Sequence, residues 1–438
     1  MRKYNGIIIM LLTVLLSGCG PVREAASTVM RVEKVEVGQT AGESSNQEDA
    51  EAAEDAWDDG LPEGAQEETS GGAETNAEAA SGEAGNETEP VSDNAVLPDD
   101  VTVSGDELTQ DDVTEARTVT LRAVGDDLIH SGFYNYARAA GCDYSFMFEN
   151  VSDVISEADI AVINQETIFV SDPSQYSDYP LFGSPTGIGD ALIEAGFDVV
   201  QLATNHCLDK GLTGISDTVN YFSDKDVLAI GVYTDEESAS EIPLMEKNGI
   251  TFAFLNYTYG TNGLSLPNSY CVNTFSDEDK VRDDIRRARE LADIVVVLPH
   301  WGTEYACRPD SFQEKWTEIF LEEGVDIVIG THPHVVQPYE MLTGEDGHQM
   351  LVYYSLGNFI SYQDEMERML GGMADITVTI SDEGVSYEYD LVPLVTYIHS
   401  GVGTTTYFLS DYDKTDHKYG ATKENMAELF EEIINWEA

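Results

Sequence analysis

Val325-Asp326-Ile327-Val328-Ile329-Gly330-Thr331-His332-Pro333-His334 decides how this chain is read. Its first five residues are β-branched and almost wholly apolar, the composition of a strand buried on both faces of a parallel sheet. The run ends in a glycine and a His-x-His pair. In α/β sheets, functional groups collect on loops at the carboxyl ends of strands. Two imidazoles two residues apart on such a loop can turn toward one metal ion or one anion, and the proline between them restricts φ. A lone His-x-His can equally be two solvated loop histidines. The choice turns on whether the pattern recurs.

It recurs at five other places. Apolar runs at 118–124, 160–163, 197–202, 293–298 and 349–355 each read as a strand and each end in polar residues. The endings are Gly125-Asp126-Asp127-Leu128-Ile129-His130, Asn164-Gln165-Glu166-Thr167, Asn205-His206, His300-Trp301-Gly302-Thr303-Glu304-Tyr305 and Leu356-Gly357-Asn358-Phe359. Helical patterns are predicted between them at 148–157, 189–195, 214–224, 277–291 and 311–322. This alternation predicts an α/β domain over 117–396 with a mainly parallel sheet. The later strands, at 374–395, alternate apolar with polar residues and predict a second sheet, mixed or antiparallel. A final helix at 424–436 sets Met426, Leu429, Phe430, Ile433 and Ile434 at helical spacing, a packing face. Arg282, Arg286, Arg287 and Arg289 on the 277–291 helix read as a solvated face.

The 438 residues hold 82 acidic and 22 basic side chains, a formal charge of −60. That excludes nucleic acid as an electrostatic partner and disfavours an anionic lipid surface. It would also repel a polyanion unless a cation or a local basic patch intervened. Much of the acid lies between Lys34 and Arg117, where there is no Lys or Arg. Residues 20–116 read as a linker that buries too little apolar surface to offset its ordering entropy. Before it, Arg2 and Lys3 precede an apolar run at 6–16, shorter than a membrane span, and then Leu16-Ser17-Gly18-Cys19. This resembles the lipobox of bacterial lipoproteins, which implies a 1–19 signal peptide, lipid on Cys19 and an extracytoplasmic, membrane-anchored protein. Residues 397–438 are expected to be a C-terminal extension. The five cysteines show no C-x-x-C spacing.

Carboxylates, an amide and imidazoles at successive strand ends are the ligand set of a hard or borderline divalent ion. Singly, each has an ordinary alternative: Asp126 a helix cap, Glu166 a surface carboxylate, Asn205 a loop bond, His300 a satisfied half-buried histidine. Their joint placement favours one shared site.

The ordered motifs resemble those of the CapA family of poly-γ-glutamate capsule synthesis proteins, related to the calcineurin-like metallophosphoesterases. The matching residues are Gly125-Asp126 with His130, Asn164 to Thr167, Asn205-His206 with Asp209 and Gly211, and His300-Trp301-Gly302 with Glu304-Tyr305. They continue through Gly330, His332-Pro333-His334, Gln337-Pro338 and Tyr354 to Phe359. The resemblance implies a four-layer α/β/β/α sandwich with two mixed sheets. It implies metal ligation by Asp126, Glu166, Asn205, His300, His332 and His334, with His206 as general acid and Glu304 as a second catalytic group. His130, Trp301 and Asn358 would touch substrate. The cofactor would be a divalent ion (Mn, Mg, Zn or Fe). Partners would be an anionic envelope polymer or a phosphorylated precursor, the membrane through the lipid anchor, and membrane synthase subunits. Two departures stand out: Leu128 sits where the wider superfamily has a histidine, and Glu166 where it has a bridging aspartate. The expectation is therefore either a metal-dependent hydrolase of capsule synthesis or a non-catalytic accessory protein that binds the polymer or a synthase.

Overall fold

A computed structural model describes residues 115–139, 141–399, 403–414 and 420–435. The leader, Cys19 and all but the end of the acidic tract lie outside these residues. In chain order the strands are β1 (Arg117–Asp127), β2 (Ile160–Gln165), β3 (Phe169–Val170), β4 (Ser184–Pro185), β5 (Val199–Gln201), β6 (Leu228–Ile230), β7 (Leu244–Lys247), β8 (Ile250–Thr258), β9 (Ile294–His300), β10 (Ile327–Ile329), β11 (Tyr339–Thr343), β12 (Gln349–Tyr353), β13 (Asn358–Ile360), β14 (Leu370–Ser381), β15 (Gly384–His399) and β16 (Gly403–Phe408). The helices are α1 (Ser131–Ala139), α2 (Ser152–Ser156), α3 (Gly187–Glu194), α4 (Gly211–Phe222), α5 (Glu236–Ser240), α6 (Glu278–Leu291), α7 (Ser311–Glu323), α8 (Met366–Met369) and α9 (Lys423–Ile434). Among the described residues no helix is long and apolar enough to cross a membrane.

Two mixed sheets result. The first runs β16-β15-β14-β1-β2-β5-β6, with β13 also paired to β1. Its β1, β2, β5 and β6 are parallel, and β14 to β16 add antiparallel. The second runs β11-β12-β10-β9-β8-β7, parallel in the middle with antiparallel edges. Strand alternation fixes the layers. Val119, Leu121, Ile160, Val162 and Val199 of the first sheet share a core with Ile250, Phe252, Ile294, Val296, Ile327 and Leu351 of the second. The opposite faces are covered by helices. Ala161, Ile163 and Val200 pack with Phe133, Ile155, Leu192 and Ile215, and Val295, Val297 and Val328 with Ile285, Trp316 and Phe320. This is the expected α/β/β/α sandwich.

Three expectations need correction. The late strands do not form the second sheet. β14 and β15 extend the first, and the alternation along β14 reports a half-wet face: Ile376 and Val378 are buried, whereas Asp375, Thr377 and Thr379 are partly exposed. The second sheet is built from β7 to β12, and the chain returns to the first at β13. The folded unit also continues past 396, because β16 pairs with β15 and α9 buries Met426, Phe430 and Ile433 in the central core. Trp436 lies outside the described residues. The arginines of α6 are not simply solvated. Glu323 of α7 accepts from Arg282 and Arg286, both at 2.7 Å, and Arg289 and Arg287 reach the backbone carbonyls of Glu323 and Ser240.

Candidate metal centre

Parallel strands of both sheets end at one seam, and each sheet brings different chemistry. The first supplies Asp126 at the end of β1, Glu166 just after β2, and Asn205 and His206 after β5. The second supplies His300 at the end of β9, Glu304 beyond it, and His332 and His334 after β10. Asp126, Glu166 and Asn205 thus meet His300, His332 and His334 across the seam.

The local backbone is built for this meeting. A Cβ on Gly330 would come within 2.1 Å of the Tyr354 carbonyl oxygen and 2.4 Å of Trp301 Nε1, so only glycine lets β10 turn here. His332 and His334 have φ of 99° and 59°, and Tyr305 has φ of 64°. Non-glycine residues pay about 1–3 kcal/mol for such angles, and such residues cluster at functional sites. The Tyr305 N–H donates to the Pro333 carbonyl at 2.7 Å, tying the loop after β9 to the His-Pro-His turn.

Asp126 is fully buried and multiply held. Its Oδ1 accepts from Asn164 Nδ2 at 2.7 Å and from the His332 N–H at 3.2 Å, and its Oδ2 from His334 Nδ1 at 2.9 Å. Glu166 is different. It is fully buried, both its oxygens lack a hydrogen-bond partner, and Oε1 stands 3.8 Å from His300 Nε2 and 3.7 Å from His334 Nε2. His332 Nδ1 is likewise buried and unpartnered. His300 Nε2 donates to Asn205 Oδ1 at 3.0 Å, and Thr331 Oγ1 lies 3.1 Å from Nδ1 and can take over as proton acceptor there, so a cation at Nε2 would replace the proton shared with Asn205.

Three donor triads come within 4.8 Å: Glu166, His300 and His332; Asp126, Glu166 and His334; Glu304, His332 and His334. Glu166 joins the first two triads, as a bridging ligand would. Orphaned carboxylate oxygens among imidazoles, with a mixed oxygen and nitrogen donor set, fit a divalent cation. The electrostatics agree. Burial pushes the Glu166 carboxyl well above its ordinary range, with Asp126 adding to it against the pull of His334. Burial and the neighbouring imidazoles hold His300 and His332 well below theirs, which keeps them neutral, the ligating form. Burial also opposes a charge on His334, but Glu166 and Asp126 outweigh it and push that imidazole up to about 9. The cluster as a whole attracts positive charge.

Two carboxylate–histidine pairs flank it. His206 donates through Nδ1 to Asp209 Oδ2 at 2.7 Å. His130 donates through Nδ1 to Asp178 Oδ1 at 2.7 Å, and its Nε2 is buried without a partner. The Phe182 ring stands edge-on to both imidazoles, 5.2 Å from His130 and 4.8 Å from His206. The Phe182 N–H donates to the same Asp209 oxygen that orients His206.

Two residues expected to touch substrate are buried. Trp301 has no exposed surface; it donates to the Tyr354 carbonyl at 2.9 Å and packs with Phe275 and Phe320 in the core under the helices. Asn358 is also buried, and its Nδ2 is spent on Gln363 Oε1 and the Arg368 carbonyl. Glu304 is exposed, and one of its oxygens lies within 4.8 Å of ring nitrogens of His332 and His334, where it could serve as a further ligand. Leu128 is buried apolar packing and offers no donor near Asp126. The residues missed in the sequence are Asn164, Asp178 and Thr331, together with the orienting role of Asp209. Asn164 and Thr331 stand inside the quoted motifs, two residues from Glu166 and next to His332, and Asp209 is three residues from His206; only Asp178 comes from a loop distant in sequence.

The model of the bacterial capsule synthesis protein family PGA_cap matches residues 120–363. The capsule biosynthesis protein CapA of Bacillus anthracis is 28% identical over 289 residues, covering 64% of this chain and 68% of that protein. The PGA biosynthesis protein CapA of Bacillus subtilis (strain 168) is 32% identical over 171 residues, 39% of this chain and 44% of that protein. Among solved structures, a putative 5'-nucleotidase from Staphylococcus aureus in complex with alpha-ketoglutarate aligns over 72% of this chain and 58% of its own at 12% identity, with a TM-score of 0.41. The family model spans every residue of the seam, from Asp126 to Asn358, and the chain belongs to the bacterial capsule synthesis protein family PGA_cap.

Proposed function

We propose that this protein serves the synthesis of a poly-γ-glutamate-type capsule polymer outside the cell membrane, anchored by lipid on Cys19. We further propose that its seam is a divalent-metal centre acting hydrolytically on a phosphorylated precursor or on the anionic polymer. Family membership and the names of its relatives support the capsule role. The observation that carries the metal centre is the pair of buried, unpartnered Glu166 oxygens among His300, His332 and His334.

Asp126, Glu166 and His334 would hold one cation, and Glu166, Asn205, His300 and His332 a second. A bound divalent cation would supply Lewis acidity toward a phosphoryl or carbonyl oxygen and acidify an attacking water. Asp209 fixes the His206 ring through Nδ1, so Nε2 is the atom available to pass a proton to the departing oxygen. Asn164, bonded to Asp126, and the Tyr305 N–H, bonded to the Pro333 carbonyl, keep the ligands in place during the reaction.

Elemental analysis of the purified protein should find stoichiometric divalent metal, lost in a His332→Ala, His334→Ala double variant together with phosphodiesterase activity. No metal in the parent, with unchanged activity in the variant, would sink the catalytic reading. Fatty-acid labelling that persists in Cys19→Ser would do the same for the anchor. One observation favours a non-catalytic accessory role instead: buried Leu128 leaves the Asp126 side of the seam with fewer donors. That reading expects a synthase partner to stay bound when both histidines are replaced.

A further inference from the structure

A chain of net charge −60 that handles a polyanion needs a local cation. The mouth of the seam contains one. The Arg368 guanidinium lies 3.7 Å from the centroid of the Tyr305 ring, a stacked cation–π contact. The same Tyr305 ring is 6.0 Å from the His334 ring, so one tyrosine separates the guanidinium from the cluster. Tyr305 is partly exposed and its backbone is locked to Pro333. The rim around it is otherwise acidic or aromatic: Glu304, and Tyr259, whose ring is tilted against that of His332 at 4.6 Å.

Arg368 is held in place from behind. Its carbonyl accepts from Asn358 Nδ2 at 2.9 Å, and Asn358 pairs in register with Asp126 across β13 and β1. The same Asn358 amide donates to Gln363, whose own Nε2 donates to the Tyr305 hydroxyl at 3.3 Å. The backbone at Arg368, the Tyr305 ring and the metal-facing aspartate are therefore one connected unit. Among the described residues, the carboxylate paired with Arg368 is that of Glu365, one turn back and about half exposed. A guanidinium whose partner is a solvated carboxylate on its own short helix can exchange it for another carboxylate at little cost.

We infer that Arg368, stacked on Tyr305 at the mouth of the seam, binds a carboxylate of the γ-glutamyl chain, with Glu365 as the counter-ion that chain displaces. This rests on the capsule-polymer reading above. In a γ-linked glutamate chain every repeat keeps its α-carboxylate free, so a planar, two-pronged cation beside the centre reads the feature that defines the polymer. Arg368 is a specificity residue here. It touches the chain beside the reacting bond and takes no proton.

The test is binding of the full chain, at about 0.15 M salt to limit long-range repulsion, to a synthetic γ-linked glutamate oligomer and to the same oligomer with its α-carboxylates amidated. Arg368→Gln should weaken the acidic oligomer by about ten- to a hundredfold, the worth of a charge-assisted hydrogen-bonded pair. Glu365→Gln should tighten it by removing the competitor. Neither variant should change binding of the amidated oligomer, and Arg368→Lys should recover part of the loss. A merely structural Arg368 would move both oligomers together and would not oppose the Glu365 variant in sign. Unchanged affinity of Arg368→Gln for an acidic oligomer that the parent binds overturns the assignment and leaves the capsule reading standing. No binding of that oligomer by the parent removes the assignment and, with it, the reading that the seam acts on the polymer itself.

Discussion

The two acids at the end of β1 are neighbours in sequence and opposites in chemistry. Asp126 is held by Asn164, His332 and His334 and belongs to the cluster. Asp127 is equally buried, but both its oxygens are unpartnered and burial pushes its carboxyl well above the ordinary range. A carboxyl with a raised folded-state pKa binds its proton more tightly folded than unfolded. Its cost therefore grows as pH rises from about 4 toward that pKa. Asp127→Asn should remove this cost, raising stability at pH 7 by about 1–3 kcal/mol in denaturant titrations and leaving metal content unchanged. Asp126→Asn should abolish metal binding. His334 gives the second prediction at this scale. Its pKa, raised to about 9 by Glu166 and Asp126, means that at neutral pH a proton occupies the place a cation would take. Affinity for a divalent ion should rise about tenfold per pH unit from pH 7 and flatten above about pH 9. In metal-free protein the sign reverses: the stability His334 contributes is complete below its unfolded pKa of about 6.5 and is lost as pH rises through about 9. Calorimetric titration and thermal unfolding across that range measure both.

At the scale of elements, α7 ties the His-Pro-His turn to the rest of the second sheet. Asp310 caps the helix by accepting from the Phe312 and Gln313 N–H groups, and Gln313 Oε1 accepts from the Asp310 N–H, a reciprocal capping box. Gln313 Nε2 then donates to Gln337 Oε1 at 2.7 Å and to the Tyr354 carbonyl, and Gln337 Nε2 donates to the carbonyls of Ala306 and Arg308. Two buried amides thus join the helix start, the loop carrying Glu304 and the segment after His334. Gln313→Ala strands Gln337 Oε1 without a partner and should cost about 2–4 kcal/mol. It should also lower metal affinity without touching a ligand. Stability loss with unchanged affinity would show that the turn holds itself. The helix was visible in the sequence, since Asp310-x-x-Gln313 ahead of an apolar run is a start signal. The strands flanking the ligands were visible for the same kind of local reason: β9 and β10 are unbroken apolar runs. The amide ladder was not, because Gln313 and Gln337 acquire partners only when distant loops meet. Nor was the burial of Trp301, which in sequence is an aromatic beside a histidine and in the fold is the packing surface for Gly330.

For the whole molecule, the question is where the domain ends. The family model stops at 363 and the apolar alternation fades near 395, so sequence alone places an extension there. Packing places none. β15 continues to His399, β16 returns along it from Leu394↔Phe408 to His399↔Gly403, and the chain then lays Leu409, Tyr412, Ala421, Met426, Phe430 and Ile433 onto the core shared by both sheets. Arg308, in the loop that carries Glu304, donates to the Ile433 carbonyl at 3.0 Å, so the last helix also braces the rim of the candidate site. Ending the chain after 396 would uncover those apolar contacts and leave β15 as a long, unpaired edge. At about 1.5–3 kcal/mol for each large apolar side chain exposed, the loss approaches the whole stability of a typical domain. Protein truncated after 396 should be aggregation-prone, bind a hydrophobic dye and lack a cooperative thermal transition, whereas full-length protein unfolds cooperatively. A truncated chain with the parent's midpoint and metal content would mean that the two sheets close without α9, and that the terminal region is the appendage its sequence describes.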